Sequence, residues 1–191
     1  MMEGMLPEYG ALGTVRQPTG SAIATAAPSN AYKTADEQWI LIAANSDPLF
    51  RRLARLLNRD ELADDPRFAN NHVRVQNAEE LDCIIAAWTS GYSAKHLSSV
   101  LNEADIPSTM VYTAKEIAED PQYLSRGAVA TVPDPFFGAT LQAGVIPRVV
   151  ENPGSIRWSG PSIGEHTADV LAGWLNYTTA EIEELREQGV V

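Results

Sequence analysis

The sequence predicts an α+β fold, a short antiparallel sheet with helices packed against it. Three observations carry this expectation. Trp39-Ile40-Leu41-Ile42-Ala43-Ala44 is a short apolar run bounded by polar residues, the pattern of a buried strand. Leu49, Phe50, Leu53, Leu56 and Leu57 then recur at helical spacing. Between them, Asn45-Ser46-Asp47-Pro48 breaks the run and opens a helix where proline is best tolerated. A loop pinned between a strand and a helix is a good place to present functional groups.

The flanking elements follow in order. Gly and Pro punctuate residues 1–30, which show neither helical nor strand periodicity and read as a linker or lead-in. Tyr32-Lys33-Thr34 and the Trp39–Ala44 run flank Ala35-Asp36-Glu37 as a hairpin. Asn77, with Glu80 three residues on, predicts a capping box, and Leu81, Ile84, Ile85 and Trp88 form the stripe of that helix. Cys83, beside the stripe, reads as a small buried hydrophobe. Ser93 caps the next helix, with Leu97, Val100, Leu101 and Ala104 on one face. Thr109–Tyr112 is a strand candidate; Thr113 with Glu116 is a second capping box, and Asp120-Pro121 starts a helical turn that Gly127 ends. Short β-like pieces follow at Val129–Val132, Thr140–Gln142 and Val145–Val150. Two terminal helices close the chain near Thr167–Leu175 and Thr179–Gln188, the second with Thr178 and Glu181 as its box and Gly189 as its stop. The central unit is expected over about 31–137. Leu6, Ile146, Trp158, Trp174 and Leu175 lie in the arms on either side, apolar residues that such a centre has difficulty covering.

Composition narrows the function. At 191 residues the chain is long enough for one good core and an appended segment. Its 45% hydrophobic and 20% charged content is that of an ordinary globular protein. A net charge of −11 argues against nucleic-acid binding. A single cysteine rules out an intrachain disulfide framework, and no apolar run approaches the length of about 20 residues that a membrane helix needs. With no signal-peptide pattern at its start, the chain is expected to be cytoplasmic.

Familiar catalytic signatures are missing: no dinucleotide or phosphate loop, no nucleophile elbow and no Cys/His metal spacing. His72, His96 and His166 are isolated, and His96 in a first helical turn reads as solvent-exposed. Arg51, Arg52 and Arg55 read as a solvated basic face. Gly164-Glu165-His166-Thr167 with Asp169 reads as helix docking. The candidate site is therefore the loop Asn45, Ser46 and Asp47. Asp47 is the carboxylate of interest there, and from the residues alone a helix cap is favoured over a general base.

Several phrases in order resemble family III CoA-transferases, the carnitine-CoA-transferase and bile-acid-inducible group that also contains 2-methylacyl-CoA racemases. They are Ala27 to Tyr32, Trp39 to Phe50, Asp65-Pro66-Arg67-Phe68, Arg74-Val75-Gln76-Asn77, Asp120-Pro121-Gln122-Tyr123 with Arg126-Gly127, Pro161 to Thr167, and Leu185 to Val191. The resemblance is to the C-terminal half of that family. It implies a linker over 1–30, a small α+β domain over 31–137, and a return segment over 138–191 whose helices rejoin a Rossmann-like large domain. It implies interlocked homo-oligomers, acyl-CoA and carboxylic acid substrates, and coenzyme A as substrate rather than as a covalently bound cofactor. The partner would be the N-terminal large domain or a subunit carrying it. The nucleophilic aspartate of the family belongs to that missing half, so no catalytic residue is expected in this chain and the isolated chain is expected to be inactive. Racemases of the family carry an acidic residue followed by proline at this loop, as in Asp47-Pro48. The glycines of the mobile loop common in transferases are absent. A racemase part and a non-catalytic interaction module remain the alternatives.

Overall fold

The computed structural model describes residues 4–191. The chain divides into two compact units, one ending at Val111 and one running Tyr112–Val191.

In the first unit, β1 (Ser29–Lys33), β2 (Trp39–Ala43) and β3 (Ser108–Met110) form an antiparallel sheet in the order β1-β2-β3. Tyr32 pairs with Ile40, and Ile40 with Met110. Helix α1 (Met5–Leu12) precedes the sheet, and α2 (Asp47–Leu56), a 3-10 turn at Asp60–Ala63, α3 (Asn71–Gln76), α4 (Ala78–Thr89) and α5 (Ala94–Glu103) lie between β2 and β3. Ile40 and Ile42 point into a core shared with Phe50, Leu53, Leu81, Ile85 and Leu97. Their alternates Trp39 and Leu41 are 47% and 39% exposed. The strand is thus buried on one face only, because α4 and α5 pack on the sheet and strand side chains alternate.

Local hydrogen bonding sets most helix ends as expected. Ser93 accepts from the His96 amide and, at the start of the second unit, Thr113 with Glu116 closes a capping box. Three expectations in this unit are corrected. Helix α1 forms where no periodicity marked it; it buries none of its residues, so it has no amphipathic face to betray it, and Gly13 ends it in the left-handed conformation. Asn77 stands at the N-terminal cap position of α4 but its side chain makes no cap hydrogen bond there: its side-chain amide donates back to the Val73 carbonyl at 2.8 Å, closing α3, while Glu80 turns to Arg67. Cys83 is exposed rather than buried. Two positions past Leu81, it lies on the far side of α4 from the inward Leu81 and Ile85.

The second unit contains α6 (Ala114–Glu119), α7 (Pro121–Ser125), the antiparallel pair β4 (Val129–Asp134) and β5 (Gly138–Ala143), then α8 (Thr167–Leu175) and α9 (Thr179–Glu187). Asp134 turns the hairpin by accepting from the amides of Phe136 and Phe137, both at 2.9 Å. Thr178 and Glu181 form the predicted box, and Gly127 and Gly189 take positive φ. Val145–Val150 is not a strand: the ladder ends where the Gly144 amide meets the Ala128 carbonyl, and Pro147 has no amide to continue one. Few side chains here are buried, Val132 and Ile182 among them. The arm residues Leu6, Ile146, Trp158, Trp174 and Leu175 are all exposed, from 57% at Trp158 to 81% at Trp174.

Candidate functional site

The Asn45–Asp47 loop leaves the sheet at Ala44, whose buried amide donates to the Pro28 carbonyl at 3.0 Å. Asn45 then donates its side-chain amide to Ser29 Oγ at 2.9 Å. Ser46, in extended conformation, is the cap of α2: its hydroxyl faces the Leu49 amide at 3.4 Å. Asp47, read from the sequence as the cap, is instead the first helical residue. One residue of shift frees its carboxylate from the helix amides, and it pairs elsewhere.

Its partner is Arg74, which is fully buried. The Arg74 guanidinium donates to four acceptors from three stretches of chain. Nε reaches the Ala27 carbonyl at 2.8 Å, and Nη1 the Phe68 carbonyl at 3.0 Å. Nη2 reaches both the Asn45 carbonyl, at 2.7 Å, and Asp47 Oδ1, at 2.8 Å. The ring of Phe50 lies 4.8 Å beneath the guanidinium carbon. Burial of a charge is tolerable here because four acceptors and an aromatic face replace its water. Arg74 is delivered by α3, capped at Asn70, and the next residue, Asn71, bonds the backbone of Thr25 and Ala27 through its side chain. The Asp47 side chain stays 53% exposed, so one carboxylate oxygen is anchored and the other faces outward.

Sequence reasoning located the loop but not the arginine that holds it. Arg74 sits in an element with no periodic stripe, and only its place in a family-like phrase distinguished it. Beneath the sheet, Tyr32 donates to Asp82; burial and that carboxylate push the phenol far above its ordinary range, so it stays a proton donor. Among the described residues none of the three histidines bonds the loop. His72 pairs with Gln76, His96 is exposed and stacks on Tyr92, and His166 lies 3.9 Å from Asp169. Arg51, Arg52 and Arg55 are exposed as expected. Among the described residues there is no cluster of His, Cys, Asp or Glu that could hold a metal ion, and no helix long and apolar enough to cross a membrane. The loop offers hydrogen-bonding and one carboxylate oxygen.

The family model described as CoA-transferase family III matches residues 1–167. The chain belongs to CoA-transferase family III. It is 39% identical over all of its 191 residues to the succinyl-CoA–D-citramalate CoA-transferase of Chloroflexus aurantiacus, covering 48% of that protein. It is 31% identical to the succinyl-CoA–L-malate CoA-transferase beta subunit of the same organism, with 98% of this chain and 47% of the relative covered. The chain thus spans about half the length of the curated relatives it matches. A crystal structure of a CAIB/BAIF family protein from Brucella suis superposes with a TM-score of 0.72 at 27% identity, covering 90% of this chain and 44% of that one. The α+β architecture matches that of this CAIB/BAIF family neighbour.

Proposed function

We propose that this chain is the C-terminal portion of an acyl-CoA:carboxylate CoA-transferase. It completes the substrate side of the active site and the interlocked dimer, and the nucleophilic aspartate resides in an N-terminal portion supplied by the same polypeptide or a partner subunit. One observation carries the reading: end-to-end similarity to a protein named for CoA transfer, of which it matches less than half. One support comes from the fold. The apolar arm residues are exposed, as surfaces that another domain would cover are.

In this reading the aspartate attacks the thioester carbonyl and expels CoA thiolate, leaving an acyl-anhydride; the thiolate attacks the aspartyl carbonyl of that anhydride and releases the donor acid, leaving an aspartyl-CoA thioester. The incoming acid runs the same exchange in reverse through a second anhydride and departs as its CoA thioester, with the aspartate restored. The relatives' names point to succinyl-CoA as donor and a hydroxylated dicarboxylic acid of the malate or citramalate type as acceptor. The Asn45–Asp47 loop would face the intermediates from the small-domain side. Coenzyme A enters as substrate.

The test has two arms. The purified chain, given succinyl-CoA and either acid, should form no new thioester; transfer by the chain alone overturns the reading. Combined with an N-terminal portion of a family III enzyme encoded beside it, it should transfer CoA between acids. Exchange at C2 of a 2-methylacyl-CoA in deuterated water without CoA transfer would instead mark a racemase. Absence of any such companion, with no catalysis, would mark an interaction module.

A further inference from the structure

We propose that Arg74 is the positioning residue of the Asn45–Asp47 loop: its buried guanidinium fixes the loop so that Ser46 and the outward oxygen of Asp47 meet the substrate at a set place. The inference rests on the reading of the loop as the substrate-facing edge of a CoA-transferase, and it adds the device that sets the geometry of that edge.

The geometry supplies the argument. A loop built to swing as a lid needs backbone freedom and weak anchors, and this one has neither. It contains no glycine, and it is gripped twice by one nitrogen, at the Asn45 carbonyl and at Asp47 Oδ1. The other donors of the same planar group are tied to Ala27 and Phe68, so the grip is referred to parts of the chain far from the loop in sequence. Asn45 is held again from the strand side by its bond to Ser29. A guanidinium suits this task because its donors leave in one rigid plane at fixed angles. A lysine ammonium would offer the charge without the fork. Asp47 divides its carboxylate between the two roles: Oδ1 takes the Arg74 hydrogen bond, and Oδ2 is left outward on a half-exposed side chain. The chain therefore presents a carboxylate whose orientation is set from inside the protein. Displacing such a group by as little as about 1 Å is enough to lower turnover by about two orders of magnitude in a positioned site.

Arg74→Lys tests this at two levels. On the chain itself, amide hydrogen exchange reads the loop. The amides of Leu49 and Phe50, which bond Ser46 Oγ and the Ser46 carbonyl, should exchange about tenfold faster, with the Leu97 amide on α5 unchanged. Equal exchange at Leu49 and Phe50 in variant and parent overturns the proposal. Asp47→Ala, which removes one of the two grips on the loop, should loosen the same two amides, and it decides the matter if Arg74→Lys unfolds the chain. In the complete enzyme, folded Arg74→Lys should lose at least about tenfold in kcat with a change of less than about threefold in KM for the acyl-CoA. A kcat within about twofold of the parent overturns the positioning role. If the complete enzyme transfers no CoA at all, the functional reading fails, and the exchange arm still decides whether Arg74 sets the loop.

Discussion

Replacing Arg74 by methionine should be among the most damaging single changes in the first unit, although no catalytic group is removed. Methionine keeps the stem and its packing but none of the donors. The change orphans the carbonyls of Ala27 and Phe68, both in buried residues, and the carbonyl of Asn45 in a half-buried one. An orphaned buried acceptor costs about 1–3 kcal/mol. The Asp47 carboxylate, 53% exposed, regains water and adds little. Loss of the cation above the Phe50 face adds a fraction of this. The three carbonyls together set a range of about 3–9 kcal/mol, and because methionine also removes the cost of burying the charge, the lower part of it, about 3–5 kcal/mol, is expected, in line with the cost of breaking other buried charged networks. Asp47→Asn keeps an acceptor for Nη2 at an exposed position and should cost about 1 kcal/mol or less. The assay is urea unfolding of the chain, followed by tryptophan fluorescence and far-UV circular dichroism. With a slope of about 2 kcal/mol per molar, Arg74→Met should move the midpoint down by about 2 M and Asp47→Asn by about 0.5 M. Equal, small shifts in both variants would refute the reasoning, because they would mean that the four acceptors are satisfied without the guanidinium.

Two further outcomes follow from the helix ends and the two kinds of apolar residue. The Thr178 backbone amide and then its hydroxyl hold Glu181 below its ordinary 4.5, and the Thr113 hydroxyl and amide do the same for Glu116. A depressed carboxylate contributes its stability in full above that ordinary value and loses it as pH falls through the lower folded value. Helix content by circular dichroism should therefore fall on acidification below about pH 4.5, and Glu116→Gln with Glu181→Gln should remove that part of the acid response. Leu53→Ala, at a fully buried side chain, should cost about 2–5 kcal/mol, whereas Trp174→Ala, at a side chain 81% exposed, should change the stability of this chain by less than about 0.5 kcal/mol. Parallel urea curves check both. A large loss at Trp174 would show that the residue already has a partner within the chain.

The sequence by itself determined the features whose causes lie within a few residues. The strand, polar loop and helix around Asn45–Asp47 were legible because a short apolar run, a helix-opening proline and a helical stripe follow one another directly. The Thr113–Glu116 and Thr178–Glu181 boxes and the stops at Gly127 and Gly189 were legible because caps close on their own neighbours. Even locally the reading failed where two helices compete for one residue, as at Asn77, or where a helix such as α1 buries nothing. Only the tertiary structure decided what holds the candidate site. Arg74 meets Ala27 across 47 positions and Asp47 across 27, and none of the intervening residues marks which arginine would be drawn inside. A buried charge is placed by the acceptors that the whole fold brings to it, and those acceptors are mostly backbone carbonyls, which every residue carries alike.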